Sequence, residues 1–308
     1  MRTGRVAART DTGRRRMHNE DVFVCRPPLY AVADGMGGAQ AGELASRLAA
    51  AALAERAAGV HGEEAVAGLV REANRRIFHR SLEDPTAAGM GTTVTAVLVD
   101  EATGTAAIAH VGDSRAYRVR DGVLDQLTID HSVVGELVRA GRLTEEEALD
   151  HPYRSAITRA LGTEEEVEVD TLAVPLEPGD LYLVCSDGLT SMLRDEEIGA
   201  VVAAHEGDLD AIAAGLVDAA NAAGGEDNVT VVLFEVVDGE PGVELEAGAE
   251  EPVAGVHPAP SAPTAAGATT PPAMRRSGTP AGSRWPALLL IAAVVIVAVL
   301  LVLVGLTR

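Results

Sequence analysis

Cysteine is almost missing from this 308-residue sequence: there are two, Cys25 and Cys185, and they form no C-x-x-C pair. That argues against a zinc framework and a disulfide scaffold, and a reducing compartment is the economical reading. Cys185 lies inside an apolar run, where it reads as core packing. Basic residues are outnumbered, with 25 Lys and Arg against 46 Asp and Glu and a formal net charge of -21. Binding of nucleic acid through its phosphates needs basic surface, so no nucleic-acid partner is expected. The basic N-terminus, 1–16, has no apolar stretch and is not a secretory signal. No G-x-G-x-x-G follows a strand, and neither G-x-x-x-x-G-K-[ST] nor G-x-S-x-G occurs. Nucleotide-binding and serine-hydrolase readings lose their usual support.

What the sequence does have is an apolar run that stops at an aspartate and then turns on glycine. Leu29-Tyr30-Ala31-Val32-Ala33-Asp34-Gly35-Met36-Gly37-Gly38 is the clearest case, and Leu181 to Gly188, ending in Ser186-Asp187-Gly188, repeats it. At Gly225-Glu226-Asp227-Asn228 the acids come first and the run Val229 to Phe234 follows. Each reads as a buried strand with a carboxylate at one end beside a tight turn. Three strands far apart in sequence, each ending in an Asp, invite a single site where they meet. Asp-Gly alone is ordinary turn chemistry; the recurrence is what points further.

Along the chain, Val6–Thr12 is a candidate first strand, and a loop carrying Arg14, Arg15 and Arg16 runs into Glu20-Asp21 at the start of another. Ala41–Ala58 and Glu63–Leu82 have helical periodicity. Thr92–Val99 is β-branched, Ala106–Val111 is its hairpin partner across Gly104, and Asp121-Gly122 is a strong turn signal between two further strands. The segment 130–161 is polar and broken by Gly141 and Pro152, with short helical pieces at Val133–Ala140 and Thr144–Leu149, and reads as an insertion over the core. Val167–Val174, Asp180–Ser186 and Val229–Val236 are strands, with helices at Asp195–Ala204 and Leu209–Ala222. The expected class is α+β, with antiparallel sheets covered by helices.

Past about residue 238 the composition shifts to Gly, Pro, Ala, Glu, Ser and Thr, and 238–284 reads as a disordered linker. Residues 285–306 carry no charge and are mostly Val, Leu, Ile and Ala. At 1.5 Å per residue they would span roughly 33 Å, enough for a bilayer core of roughly 30 Å, so a single transmembrane helix is expected. Arg275, Arg276 and Arg284 precede it, which by the positive-inside tendency keeps the domain before them cytoplasmic. The expectation is a C-terminally anchored, single-pass membrane protein.

Glu20, Asp21, Asp34, Asp187 and Asp227 offer only oxygen, which selects hard cations such as Mg²⁺ or Mn²⁺. Converging carboxylates with no cation would repel until one took a proton. Two ions can share a hydroxide and clamp a phosphoryl oxygen, a site suited to phosphate-ester hydrolysis. Arg16 stands where it could clamp the phosphate.

The series Arg16-x-x-Asn19-Glu20-Asp21, Ala33-Asp34-Gly35-Met36-Gly37-Gly38, Gly91-Thr92-Thr93, Val111-Gly112-Asp113-Ser114-Arg115, Ser186-Asp187-Gly188 and Asp227-Asn228 resembles the PPM-type, protein phosphatase 2C-like, metal-dependent Ser/Thr protein phosphatases of bacteria. The match runs over roughly residues 5–237, and six motifs in order are highly specific where any one is weak. The resemblance implies an α-β-β-α sandwich over 1–237 with metals in a cleft at one end. It implies that Asp34 bridges two ions, that Gly35 ligates through its carbonyl, and that Asp187 and Asp227 complete one ion. Glu20 and Asp21 would act directly or through waters, Asp113 with Asp187 would hold a third, weaker ion, and Arg16 would bind the substrate phosphate. The segment 130–161 corresponds to the family's flap, which influences substrate choice. Expected partners are phosphorylated Ser/Thr proteins, above all membrane Ser/Thr kinases and their substrates, and a monomer is expected. One position departs from many eukaryotic members, which have a histidine proposed as general acid where this chain has Met36. Leaving-group protonation must then come from a metal-bound water or from another group, and Asp113 with the third ion is the candidate. The rival reading, a non-catalytic module that masks phosphosites, predicts a lost metal ligand, and none is lost.

Overall fold

Residues 1–144, 147–148 and 151–239 are described by the computed structural model. The chain begins with β1 (Arg2–Asp11), β2 (Asp21–Arg26) and β3 (Leu29–Met36). Two helices follow, α1 (Ala39–Arg56) and α2 (Glu63–Glu83), and then β4 (Gly91–Thr92), β5 (Val94–Asp100), β6 (Thr105–Val111), β7 (Arg115–Arg120) and β8 (Val123–Gln126). After α3 (Val133–Arg139) come β9 (Asp170–Pro175), β10 (Leu181–Cys185), α4 (Asp195–Ala204), α5 (Leu209–Ala223) and β11 (Val229–Val237). The strands form two antiparallel sheets, one ordered β1-β11-β10-β7-β8 and the other β2-β3-β5-β6-β9 with β4 beside β3.

Strand periodicity explains the layers. Along β3, Leu29, Ala31 and Ala33 face one way and pack with α1 and α2, while Tyr30 and Val32 face the other sheet. Along β10 and β11, Leu183, Cys185, Val231 and Leu233 pack under α4 and α5, while Tyr182, Val184, Val232 and Phe234 point inward. β3, β10 and β11 are therefore apolar on both faces, as a sheet covered on both sides requires. The scarce aromatic residues are concentrated between the sheets: Phe234 stacks on Tyr30 with ring centroids 4.1 Å apart and on Tyr182 at 5.0 Å. Alanine does the opposite job in α1, where the fully buried Ala45, Ala49 and Ala52 let the helix lie close on its sheet. The result is the expected α+β sandwich, with two antiparallel sheets flanked by helices.

The hairpin signals hold: β5 pairs with β6 and β7 with β8, the latter turning on Asp121 (φ 52) and Gly122 (φ 76). Two positive φ values match the right-handed twist of the flanking strands. Elsewhere the elements differ from expectation. The strand read as continuous over Thr92–Val99 breaks at Thr93, because Gly91–Thr92 pairs with the end of β3 while Val94 onward joins the main sheet. The strand expected from Val167 starts at Asp170, after the exposed acidic run 164–166. β9 and β10 belong to different sheets, so the turn at Pro178-Gly179 carries the chain across the sandwich. The segment 130–161 opens with α3, capped by the Ser132 hydroxyl, and returns through a bridge between Ser132 and Ile157. No helix among the described residues is long and apolar enough to cross a membrane, and the linker at 238–284 and membrane helix at 285–306 lie outside the described residues.

Candidate metal centre

Antiparallel register brings the first two acids together. Asp21 opens β2 and lies directly across from Asp34 in β3. The backbone amide of Gly35 then donates to the Glu20 carbonyl at 3.2 Å, which keeps Glu20 beside the same strand end. Asp187 follows the end of β10, and Asp227 precedes the start of β11, the strand paired with β10. Asp113 sits in the turn between β6 and β7. The C-terminal end of β3 and the adjoining ends of β10 and β11 thus point their carboxylates at one another across the two sheets.

Glycine allows this convergence. A Cβ on Gly35 would fall 2.2 Å from the Gly42 carbonyl oxygen, and one on Gly188 would fall 2.0 Å from that of Asn228. Both contacts are with backbone, so no side chain can be fitted without moving a strand end.

The acids are in strain with one another. Asp21 is buried; Ser186 Oγ and Thr230 Oγ1 donate to its Oδ2 at 2.8 and 2.7 Å, while its Oδ1 has no partner. The Oδ1 atoms of Asp113 and Asp187 are likewise buried without a partner. Burial first, and then the charges of Asp187 and Asp227 against its hydroxyl donors, push Asp21 up to about 7. Burial and Asp227 push Asp187 up to about 6. Asp34 is held well above the carboxylate range by burial and by Asp21, Asp187, Asp113 and Asp227, and Asp113 by burial and Asp187. Asp34 itself is half-buried. Glu20 is raised by burial and opposed by Arg16.

One cation already answers this charge. Arg16, half exposed, reaches across to Asp227 with Nη2 2.5 Å from Oδ2. The residue expected to hold a phosphate is therefore paired with a candidate metal ligand. Among the described residues no three carboxylates or imidazoles are already closed into a ligand sphere. The acids are near enough to raise one another's pKa through their charges. Unpartnered buried oxygens, raised pKa values and an all-oxygen donor set fit Mn²⁺ or Mg²⁺.

Several residues that hold the site stood in the quoted motifs with no role assigned to them. Asn228 ties three segments: its side chain donates to the carbonyls of Thr12 (3.0 Å) and His18 (2.9 Å) and accepts from the Glu20 amide (2.8 Å). Thr93 accepts from the Asp34 amide through its hydroxyl and meets Ser114 Oγ at 2.6 Å, and Thr92 Oγ1 donates to the Asp34 carbonyl at 2.8 Å. Thr230 looked like one more β-branched strand residue, although a buried hydroxyl in an apolar run is itself a signal that something must accept from it. Met36 ends β3, paired with Gly91, and offers no proton.

A family model described as protein phosphatase 2C matches residues 16–229. The chain is 43% identical over 239 residues to the serine/threonine phosphatase Stp of Listeria monocytogenes, covering 74% of this chain and 94% of that protein. It is 45% identical over 237 residues to the serine/threonine protein phosphatase PstP of Mycobacterium tuberculosis, covering 76% of this chain and 45% of that one. Among solved structures it resembles the M. tuberculosis phosphatase PstP/Ppp, with a TM-score of 0.71, 41% identity, and coverage of 76% of this chain and 99% of that one. A crystal structure of the PstP catalytic domain in complex with two manganese ions is similar at TM-score 0.71 and 40% identity, covering 77% of this chain and 100% of that one.

Proposed function

Because the chain belongs to the protein phosphatase 2C family, we propose that it hydrolyses phosphoserine and phosphothreonine on proteins with Mn²⁺ or Mg²⁺ as cofactor. The observation that carries the reading is the trio of buried, unpartnered oxygens on Asp21, Asp113 and Asp187 at meeting strand ends. Asp34, Asp187, Asp227 and the Gly35 carbonyl would hold two ions, with Glu20 and Asp21 acting directly or through waters, and Asp113 with Asp187 would hold a weaker third. When bound, the ions supply an activated water and offset the phosphoryl charge. Arg16 leaves Asp227 and takes the phosphate oxygens in its fork. Met36 cannot protonate the leaving serine or threonine oxygen, and Asp113, together with the weaker third ion it would hold, is the candidate for that task.

Phosphate release from a phosphothreonine peptide tests this directly. Activity should need Mn²⁺, vanish with EDTA, and vanish in Asp34→Asn; an Asp34→Asn or Asp227→Asn enzyme with full activity would end the metal-site assignment.

The uncharged stretch 285–306, with arginines before it, supports a cytoplasmic domain anchored in the cell membrane. A tether raises the local concentration of membrane-bound substrates, so the reading extends to opposing membrane Ser/Thr kinases. Removing 285–308 should spare activity on a peptide and slow dephosphorylation of those kinases in cells. Equal cellular rates would refute the tethering role.

A further inference from the structure

We propose that His131 is a positioning residue for this reaction, setting the Gly112-Asp113 turn and through it the Asp113 carboxyl; the inference rests on the phosphatase reading above. His131 lies at the root of the 130–161 segment and holds Gly112 from both sides. The Gly112 amide donates to His131 Nδ1 at 3.0 Å, and the His131 amide donates to the Gly112 carbonyl at 2.7 Å. Gly112 has φ +115, and a Cβ there would fall 2.5 Å from the Thr93 side chain. The turn is thus committed to one conformation by a single residue. The next residue, Asp113, is buried with Oδ1 unpartnered, so its aim depends on the backbone that carries it.

The Gly112 amide is a donor, so Nδ1 accepts and the ring proton sits on Nε2. Nε2 lies 3.2 Å from Asp170 Oδ2 and 3.0 Å from Arg159 Nη1, which also holds Asp170 Oδ1 at 2.6 Å. The His131 carbonyl accepts from the Thr158 amide at 2.8 Å, so the segment departs and returns at this residue. A histidine that only filled space would not direct a ring acceptor and a backbone donor at one glycine beside a candidate ligand. Supporting residues of this kind commonly change metal affinity or activity 10–100-fold when lost.

The test pairs His131→Leu, which removes both ring bonds, with His131→Asn, which keeps an acceptor near the Nδ1 position, each alone and combined with Asp113→Asn in the full chain. Phosphate release is followed against Mn²⁺ concentration, and Mn²⁺ bound per chain is counted by titration calorimetry. His131→Leu should lose roughly 10–100-fold in kcat or in half-saturating Mn²⁺. Its phosphopeptide KM should stay near wild type, and the same weak ion should be lost as in Asp113→Asn. His131→Asn should recover most of that, and neither His131 variant should worsen Asp113→Asn. Losses that multiply in the double variants overturn the inference, as does a folded His131→Asn as impaired as His131→Leu. If His131→Leu does not fold, the Asn variant in the two backgrounds decides: a loss in wild type that disappears beside Asp113→Asn supports the role, and a loss of equal size in both overturns it. Wild-type activity indifferent to Mn²⁺ would instead overturn the phosphatase reading and this inference with it.

Discussion

Replacing Asp34 by Asn should make the metal-free protein more stable while abolishing its activity. Between the ordinary carboxylate pKa of 3.8 and about 7, Asp21 keeps a proton in the folded chain that it has given up in the unfolded one. Stability from this group is therefore full at low pH and falls as pH rises through about 7, the reverse of a salt-bridged aspartate. At 1.36 kcal/mol per pH unit the Asp21 shift alone corresponds to ~4 kcal/mol, and that of Asp187, raised to about 6, to ~3 kcal/mol. The two overlap, because the same repulsions enter both. The Asp34→Asn substitution removes one charge from the centre of the cluster, and relief on the order of 2 kcal/mol at pH 8 is expected. For a domain of this size that is a rise of roughly 4–8 °C in Tm. The assay is thermal unfolding of wild type and Asp34→Asn in EDTA at pH 4.5 and pH 8, and again in excess Mn²⁺. At pH 4.5 the two should converge, since Asp34 is then protonated in wild type. In Mn²⁺ the order should reverse, because ligand at ~100 times Kd adds ~2.7 kcal/mol to the protein that binds it. An Asp34→Asn protein less stable than wild type in EDTA at pH 8, or a gap independent of pH, would refute the account of the centre as a strained, cation-seeking cluster.

Arg16→Ala should raise KM for a phosphopeptide at least tenfold, and Arg16→Lys should restore little of it, because a lysine lacks the planar fork; steady-state kinetics decide, and equal KM values would remove Arg16 from phosphate binding. Gly188→Ala should destabilise the fold by about 2–4 kcal/mol, since its Cβ would lie 2.0 Å from the Asn228 carbonyl oxygen and a strand end must move; urea denaturation would show it, and a loss under 0.5 kcal/mol would mean that the strand ends have slack. His110 is buried, donates from Nε2 to the Ile129 carbonyl, meets Thr95 Oγ1 through Nδ1, and is pushed down to about 3 by burial and by His131. Below pH 6.5 the unfolded chain takes a proton that folded His110 refuses, so this contribution is present above 6.5 and lost on acidification toward 3. In His110→Gln the slope of stability against pH between 6.5 and 4.5 should change by ~1.4 kcal/mol per pH unit, measured by denaturation at fixed pH values, and an unchanged slope would show that His110 does not titrate there.

The strands, the helices and the acidic centre were legible because each rests on a local pattern. An apolar run closed by an aspartate marked β3 and β10 as buried strands, and Asp34 and Asp187 as their terminal acids, without any knowledge of their neighbours. What stayed hidden depends on contacts between distant segments. Asn228 shares its bonds with residues some 210 positions away, and Thr230 is set apart from other strand threonines only by the buried carboxylate it donates to. The break at Thr93 is invisible in a run of β-branched residues, since it arises from β3 needing a partner past Asp34. Arg16 was placed correctly beside the acids, but its pairing with Asp227 follows from charge balance across two loops.

That pairing connects the stability of the fold to its chemistry. The centre gathers six acids, Glu20, Asp21, Asp34, Asp113, Asp187 and Asp227, and the Arg16 guanidinium sits on the last of them. Protons held by Asp21, Asp34, Asp113 and Asp187 offset part of the remaining charge, at pKa values raised by burial and mutual repulsion. Divalent ions can replace both kinds of compensation at once, releasing the protons and freeing Arg16 to turn toward a phosphate. A side chain at Gly35 or Gly188 would separate the strand ends and relax this tension, and with it the reason for the site to bind ions. The close approach of backbones that makes the apo centre costly is the same feature that makes it selective for a compact, hard cation, so stability without metal and activity with metal should move in opposite directions under substitution.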